Sequence, residues 1–347
     1  IVNDTIYGGT KNDTIYGNIG DDTIITRAGD DIVDGGAGSD TLNYSEIDNV
    51  NNIGINANLV TGIVTGDGTD TISNIENIIG TSNYSDILKG NSDKNIISGL
   101  GGHDTIYGIG GENTLYGGTG NDTIYTATSK VAGQRGDVVY GGQGTDTLIG
   151  SFHKDFLIGG EQNGYDVETD WIDYSNLVLG TNDYGISVNL EQTTNFTDTV
   201  DRAYLNGNYS QVFRLDANGN TLNFDYISQI ENITGSSGDD TFTGNTSQNS
   251  ILAGAGDDII YYTRGLDYYD GGNHTTSSGQ GSGTPSVGGG DWISLAKETT
   301  TTVNFDLYNS SVGANITNSS AKVTNIENII GYNGVQATTG WGTDSNN

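Results

Sequence analysis

The chain has 347 residues, 33% of them hydrophobic, no Cys and a formal charge of −32, which excludes a disulfide-stapled scaffold. Its 12 Lys and Arg are spread too thinly to form the basic stripe that holds nucleic acid. No apolar run approaches the roughly 18 residues of a membrane-crossing helix.

Nine of the 44 acids are Glu and the rest are Asp, the short acid that suits turns and ligates hard cations. Gly is abundant (55) and Pro nearly absent (1), which fits neither collagen nor a Pro-rich linker and implies many tight turns.

The predicted elements, in chain order, are short rungs of Asp-x-aliphatic. The first ladder is Asp4, Asp13, Asp22, Asp31 and Asp40, nine residues apart, with Ile6, Ile15, Ile24, Val33 and Leu42 two residues further on. A spacer follows: an alternating strand from Ile53 to Leu59, closing at Asn74-Ile75-Glu76-Asn77-Ile78. The second ladder runs Asp86, Asn95, Asp104, Asn113, Asp122; an insertion from Thr126 to Arg135 resets the phase before the third, Asp137, Asp146 and Asp155. The middle spacer opens at Asp170-Trp171-Ile172-Asp173-Tyr174-Ser175. It continues with a strand from Ile186 to Leu190 and a hairpin from Val212 to Phe224 around Asn218-Gly219. It closes at Gln229-Ile230-Glu231-Asn232-Ile233. A plain hairpin is the favoured reading there, a cation turn at Asp216 and Asn218 the weaker one. The fourth ladder is Asp240, Asn249, Asp258 and Asp267, followed by a Gly/Ser-rich loop from Gly279 to Gly290. The last spacer includes Asp291-Trp292-Ile293-Ser294, Val303 to Leu307 and Asn325 to Ile329.

Three copies carry the full pattern: Gly35-Gly36-Ala37-Gly38-Ser39-Asp40-Thr41-Leu42-Asn43, Gly117 to Tyr125 (with Gly118, Gly120 and Asp122), and Gly141 to Ile149 (with Gly142, Gly144 and Asp146). This nonapeptide resembles the repeat of the RTX (repeats-in-toxin) calcium-binding family. The resemblance covers the four ladders, roughly half the chain. It implies an all-β fold, a right-handed parallel β-roll (a β-helix solenoid) of GGxGxDxUx repeats with recurrent spacer strand modules. It also implies several Ca2+ ions, each held between turns two units apart, pairing Asp13 with Asp31, Asp22 with Asp40, and Asp104 with Asp122.

The physical reading of the repeat agrees. Each unit is a six-residue turn plus a three-residue strand whose middle side chain points inward while its neighbours point out. Two units make an 18-residue coil, and coils stack at about 4.8 Å. Stacked carboxylates repel at that distance unless a cation lies between them, and oxygen-only donors select calcium. The candidate ligands are Asp13, Asp22, Asp31, Asp40, Asp104, Asp122, Asp137, Asp146, Asp155, Asp240 and Asp258, with the turn carbonyls of Gly36, Gly38, Gly118, Gly120, Gly142 and Gly144. Asn95, Asn113 and Asn249 lack the formal charge that draws an ion. Asn95 and Asn113 fall on one side of the roll, so occupancy there is expected to be one-sided. The degenerate turns ending at Asn95 and Asp155 are expected to be weak or empty.

The copies suggest three blocks, 1–85, 86–238 and 239–335, each a roll segment plus spacer, and a polar tail, 336–347. No HExxH zinc motif, nucleophile elbow or phosphate loop is present. Glu76, Glu231 and Glu327 recur in one frame, which marks structure. His103 and His153 read as solvated turn residues, and the outward tyrosines as strand formers. The resulting expectation is a non-enzymatic structural or adhesive module of a large secreted bacterial protein: a surface adhesin, S-layer or fibre component. The family resemblance implies type I secretion and folding outside the cell. Beginning at Ile1 without a leader, the chain reads as part of something longer. Copies of itself or surface polysaccharide are candidate partners, and an accessory tail module of a secreted protease, lipase or epimerase is the alternative.

Overall fold

The structure is a computed structural model. It describes residues 2–46, 53–126, 135–151, 153–161, 168–177, 179, 183–196, 207–216, 221–261, 263, 267–272, 292–294, 314–315, 322–324, 326 and 328–330. The loop at 279–290, the predicted strand at 303–307, the hairpin tip with its Asn218 turn, and the tail lie outside them. Among the described residues there is no helix. The chain divides into two compact units, Ile1–Asp170 and Trp171–Asn347.

In the first unit one sheet stacks Thr5–Tyr7, Thr23–Ile25, Thr41–Asn43, Asn77–Ile79, Ile96–Gly101, Thr114–Thr119, Val138–Gln143 and Phe156–Ile158. The other stacks Thr14–Tyr16, Ile32–Asp34, Thr69–Ser73, Ile63–Thr65, Asn56–Asn58, Ile87–Lys89, Thr105–Tyr107, Thr123–Tyr125 and Thr147–Ile149. The register is one coil of 18: Ile6 faces Ile24, Ile15 faces Val33, Ile97 faces Leu115. After the 126–135 insertion Ile124 faces Leu148, 24 residues on. This is the parallel β-roll that the nine-residue period implies. The middle residues of the rungs are the core, and Ile24, Leu42, Ile78, Leu88, Ile97, Ile106, Leu115 and Ile124 are fully buried. Each such side chain contributes about 1.5–3 kcal/mol. Outward tyrosines of successive coils stack on one another, Tyr107 on Tyr125 at 4.6 Å and Tyr116 on Tyr140 at 5.2 Å.

The second unit repeats the scheme. Thr221–Ser228, Gly207–Asp216, Asp183–Phe196, Thr241–Thr243, Ile259–Tyr261, Trp292–Ser294 and Asn328–Ile330 form one of its sheets. Trp171–Asp173, Asn232–Thr234, Ser250–Leu252, Tyr268–Asp270, Lys322–Thr324 and Ala314–Asn315 form the other.

The spacers are antiparallel sets of strands, more than the alternating strand read from the sequence in each. In the first unit Asn56–Asn58, Ile63–Thr65 and Thr69–Ser73 run antiparallel to one another inside an otherwise parallel sheet. The predicted strand from Ile53 to Leu59 contracts to Asn56–Asn58. In the second unit Asp183–Phe196, Gly207–Asp216 and Thr221–Ser228 form the antiparallel set, with the hairpin pairing Leu215 to Thr221. A meander occupies three strand positions and then returns the chain parallel, so the roll restarts: Ile78 sits between Leu42 and Ile97.

Candidate metal centre in the turns of the roll

Each turn ends on its rung acid, and that acid has two separate tasks. Its Oδ1 accepts the backbone N–H of the acid one coil earlier, at 2.7–2.8 Å, for Asp4 to Asp22, Asp13 to Asp31, Asp22 to Asp40, Asp86 to Asp104, Asp104 to Asp122, Asp122 to Asp146, Asp137 to Asp155 and Asp240 to Asp258. The three pairs expected to share an ion, Asp13/Asp31, Asp22/Asp40 and Asp104/Asp122, are therefore each joined by one of these bonds. The ladder also crosses breaks in the nine-residue spacing: Asn113 donates to Asp137 and Asp146 to Asp170.

Two acids reached in this way lie outside the regular ladder. Asp70 receives the Asp31 N–H at 3.0 Å from 39 residues away. Glu76 Oε2 receives the Asp40 N–H at 2.8 Å. Glu76 of the first spacer thus stands in for the missing rung acid. The signal for Asp70 was present in Gly66-Asp67-Gly68-Thr69-Asp70-Thr71-Ile72, a near-copy of the repeat core hidden by its displaced phase.

Oδ2 separates the turns into two kinds. In Asp22, Asp31, Asp40, Asp104 and Asp122 it is buried and accepts no hydrogen bond. In every one of these turns the residue four before the acid is left-handed: Asn18 (φ 74°), Arg27 (64°), Gly36 (105°), Leu100 (72°) and Gly118 (119°). Gly142 and Gly254, four before Asp146 and Asp258, share that conformation. We call the turns of Asp22, Asp31, Asp40, Asp104 and Asp122 bare. In the capped turns the residue at the same place is not left-handed, and it donates to the acid instead. Gly9 N caps Asp13, Ser151 Oγ caps Asp155 at 2.8 Å, and Ser236 N caps Asp240 at 2.6 Å. One turn is a residue longer, and there Thr81 N caps Asp86 at 2.6 Å.

The Asn rungs are also satisfied. Asn91 N and Asn245 N donate to Asn95 and Asn249. The amides of these two side chains donate to the Glu76 and Glu231 carbonyls, each at 2.8 Å. Asn113 is the informative case. Ile109, four residues before it, is left-handed (φ 67°) as in a bare turn. Asn113 Nδ2 donates to the carbonyls of Gly108 (3.0 Å) and Gly110 (2.6 Å). The carbonyls of a turn in this conformation thus converge on the position of the side-chain atom. Where Asp replaces Asn, a buried carboxylate oxygen takes the place of the donor with no proton to offer. A buried anion without a partner is costly, and carboxylate plus carbonyl oxygens are the donor set of a hard divalent cation. The residues present fit calcium.

The electrostatics agree. Burial pushes the Asp104 carboxyl up to about 7, and the neighbouring Asp122 and Asp86 charges add to it. Burial also pushes Asp122 up to about 6, and raises Asp31 and Asp40. The candidate glycines carry the turn geometry. Gly36, Gly38, Gly118, Gly120, Gly142 and Gly144 all have positive φ, and a Cβ on Gly118 would run into the Leu100 carbonyl one coil below. His103 Nδ1 accepts the Asn121 N–H at 2.7 Å, and His153 is hydrogen-bonded to Ser151, so both belong to turn structure; His274 lies outside the described residues.

A family model for the RTX calcium-binding nonapeptide repeat, written as four copies, matches residues 2–29, 81–111, 107–127, 131–165 and 234–269. No curated protein matches the chain.

Proposed function

From the premise that this chain carries RTX calcium-binding nonapeptide repeats and that these bind calcium at several sites, we propose that it is a non-enzymatic structural or adhesive module of a large secreted bacterial protein. In this reading it folds on calcium outside the cell. The observation that carries the proposal is the set of buried Oδ2 atoms of Asp22, Asp31, Asp40, Asp104 and Asp122, which accept nothing from the protein. The bare turns are the binding sites, with Asp146 and Asp258 in turns of the same form, and the turn carbonyls complete the donor set. Asp13, Asp155 and Asp240, capped from within their own turns, contribute to the ladder and bind weakly. When bound, calcium supplies the positive charge that lets the stacked carboxylates approach.

The chain's own residues do the rest. The left-handed residue turns the carbonyls inward, Oδ1 fixes the coil spacing, and the middle aliphatics seal the core. Backbone ordering costs roughly 1–2 kcal/mol per residue, and a rung contributes one buried side chain, so metal affinity and folding form one equilibrium. Such coupling suits export in an unfolded state from a calcium-poor cytosol, and a role as an extended spacer or adhesive surface between cell and surroundings. Circular dichroism during a calcium titration of the chelator-treated chain is the test. A cooperative rise in β signal centred at about 10⁻⁴–10⁻³ M, the range of extracellular modules, is expected. A chain fully β in excess EGTA, with a melting temperature that calcium leaves unchanged, would overturn the proposal.

A further inference from the structure

The motif that opens each of the first two spacers, Asn43-Tyr44-Ser45 and Asp173-Tyr174-Ser175, has no part in the turns described above. Both copies are held alike. Ser45 N and Ser175 N donate to Asn43 Oδ1 (2.8 Å) and Asp173 Oδ1 (2.7 Å). Tyr44 N and Tyr174 N donate to the carbonyls of Ile79 (2.9 Å) and Thr234 (3.0 Å). Each ring is fully buried, and each hydroxyl meets a buried acid on the last antiparallel strand of its spacer. Tyr44 OH donates to Asp70 Oδ2 at 2.9 Å, and Tyr174 OH to Asp225 Oδ2 at 2.8 Å. Burial, with the facing Asp70 charge, pushes the Tyr44 phenol up, so the hydroxyl keeps the proton it donates. Oδ2 is the oxygen that accepts nothing in Asp22, Asp31, Asp40, Asp104 and Asp122.

The far end of each spacer is satisfied as well. Asp86 accepts Ile55 N on Oδ1 at 2.7 Å and Thr81 N on Oδ2 at 2.6 Å. Asp240 accepts Ile186 N on Oδ1 at 2.7 Å and Ser236 N on Oδ2 at 2.6 Å. The next rungs, Asn95 and Asn249, carry no charge and accept from within their own turns. Ile55, Val64 and Ile78 are buried in one unit, and Ile186, Val212 and Ile233 in the other. Three strands with an apolar face are what a sheet needs to be stable by itself. Asp67, at the tip of the first spacer, departs from the pattern: its Oδ2 is buried and accepts no hydrogen bond.

We infer that Tyr44 and Tyr174 substitute for calcium, so that each spacer is an anchor that keeps its fold when the repeats give up their ions. The acid ladder runs out from the first anchor in both directions. Asp70 and Glu76 accept the N–H groups of Asp31 and Asp40 on one side, and Asp86 N donates to Asp104 Oδ1 on the other. An anchor that stays folded therefore offers the bare coils a formed edge on which to close when calcium returns. The inference rests on the calcium reading above and names the parts of the chain that the ion does not govern.

Hydrogen exchange of the full chain, read by mass spectrometry on its peptides in calcium and in excess EGTA, tests this. In EGTA, residues 69–98 and 221–252 should keep their protection, while the turns of Asp22 to Asp40 and of Asp104 and Asp122 lose it. Tyr44→Phe removes one oxygen from a buried ring. It should abolish the protection of 69–98 in EGTA and leave that of 221–252 as in wild type; Tyr174→Phe should do the reverse. Loss of protection throughout the wild type in EGTA, regained throughout in calcium, would overturn the anchors and leave the calcium reading standing. Full protection of every turn in EGTA would overturn both. Anchors that persist equally in the two variants would show that the phenol hydroxyls are not the substitute. Should one variant fail to fold in calcium, the wild-type pattern and the other variant decide.

Discussion

The turns ending at Asp122 and Asp155 each cross from one sheet to the other, and they part company at the residue four before the acid. Four residues before Asp122 stands Gly118, at φ 119°, and the acid's second oxygen is bare. Four residues before Asp155 stands Ser151, whose hydroxyl caps the acid at 2.8 Å. The turn of Asn113 lies between them: its backbone has the bare form, with Ile109 left-handed, and its amide supplies the donors that calcium would otherwise replace. The repeat therefore encodes two separable properties. The rung acid's Oδ1 and the buried aliphatic build the coil, whereas the hand of one backbone residue, together with Asp or Asn at the rung, sets whether the turn is satisfied from within the protein. Capped and bare turns are interspersed along the roll, and the proposed calcium dependence falls on the bare ones.

The largest expected effect comes from turning a self-satisfied turn into a bare one. Asn113→Asp removes the donor to two buried carbonyls and adds a carboxylate. In chelator it should destabilise the roll by about 2–6 kcal/mol, at about 1–3 kcal/mol per unsatisfied group. In calcium it should bind one ion more than wild type. Denaturant unfolding in EGTA and ion counting in calcium check the two halves, and an unchanged ion count would break the comparison.

A smaller loss is expected for Gly118→Ala. The new side chain must adopt a left-handed backbone and meets the Leu100 carbonyl. About 1–3 kcal/mol of strain should appear as a lower melting temperature in calcium.

Ser151→Ala should cost less, about 1–2 kcal/mol for a lost hydrogen bond that leaves an acceptor underused. Because the change uncaps Asp155, calcium should restore part of the stability lost in chelator. A loss of equal size with and without calcium would show that capping and metal are not alternatives.

Much of this architecture was legible in the residues. The nine-residue period placed Ile6 on Ile24 and Ile97 on Leu115, because a core rung admits only one inward side chain, and it put Asn95 and Asn113 on the same sheet. Three features escaped a reading by the nine-residue period alone. Asp70 joins the ladder across a 39-residue gap, and only the antiparallel meander before it shows why the period breaks. Glu76 looked like a spacer signature, whereas its carboxylate does the work of a rung acid for Asp40. The distinction between bare and capped turns escaped as well. Glycine announces a left-handed residue at Gly36 and Gly118, but Asn18, Arg27, Leu100 and Ile109 adopt the same conformation without glycine. Arg, Leu and Ile carry no signal for that conformation in a linear sequence.

The claim that backbone hand at one position, with Asp and not Asn at the rung, sorts the calcium turns from the rest is tested most directly by anomalous scattering from crystals grown in calcium. The account predicts peaks at the turns of Asp22, Asp31, Asp40, Asp104 and Asp122 and none at Asn95, Asn113 and Asn249. Equal peaks on the two sides of the second ladder, or empty turns at Asp22, Asp40, Asp104 and Asp122, would contradict it.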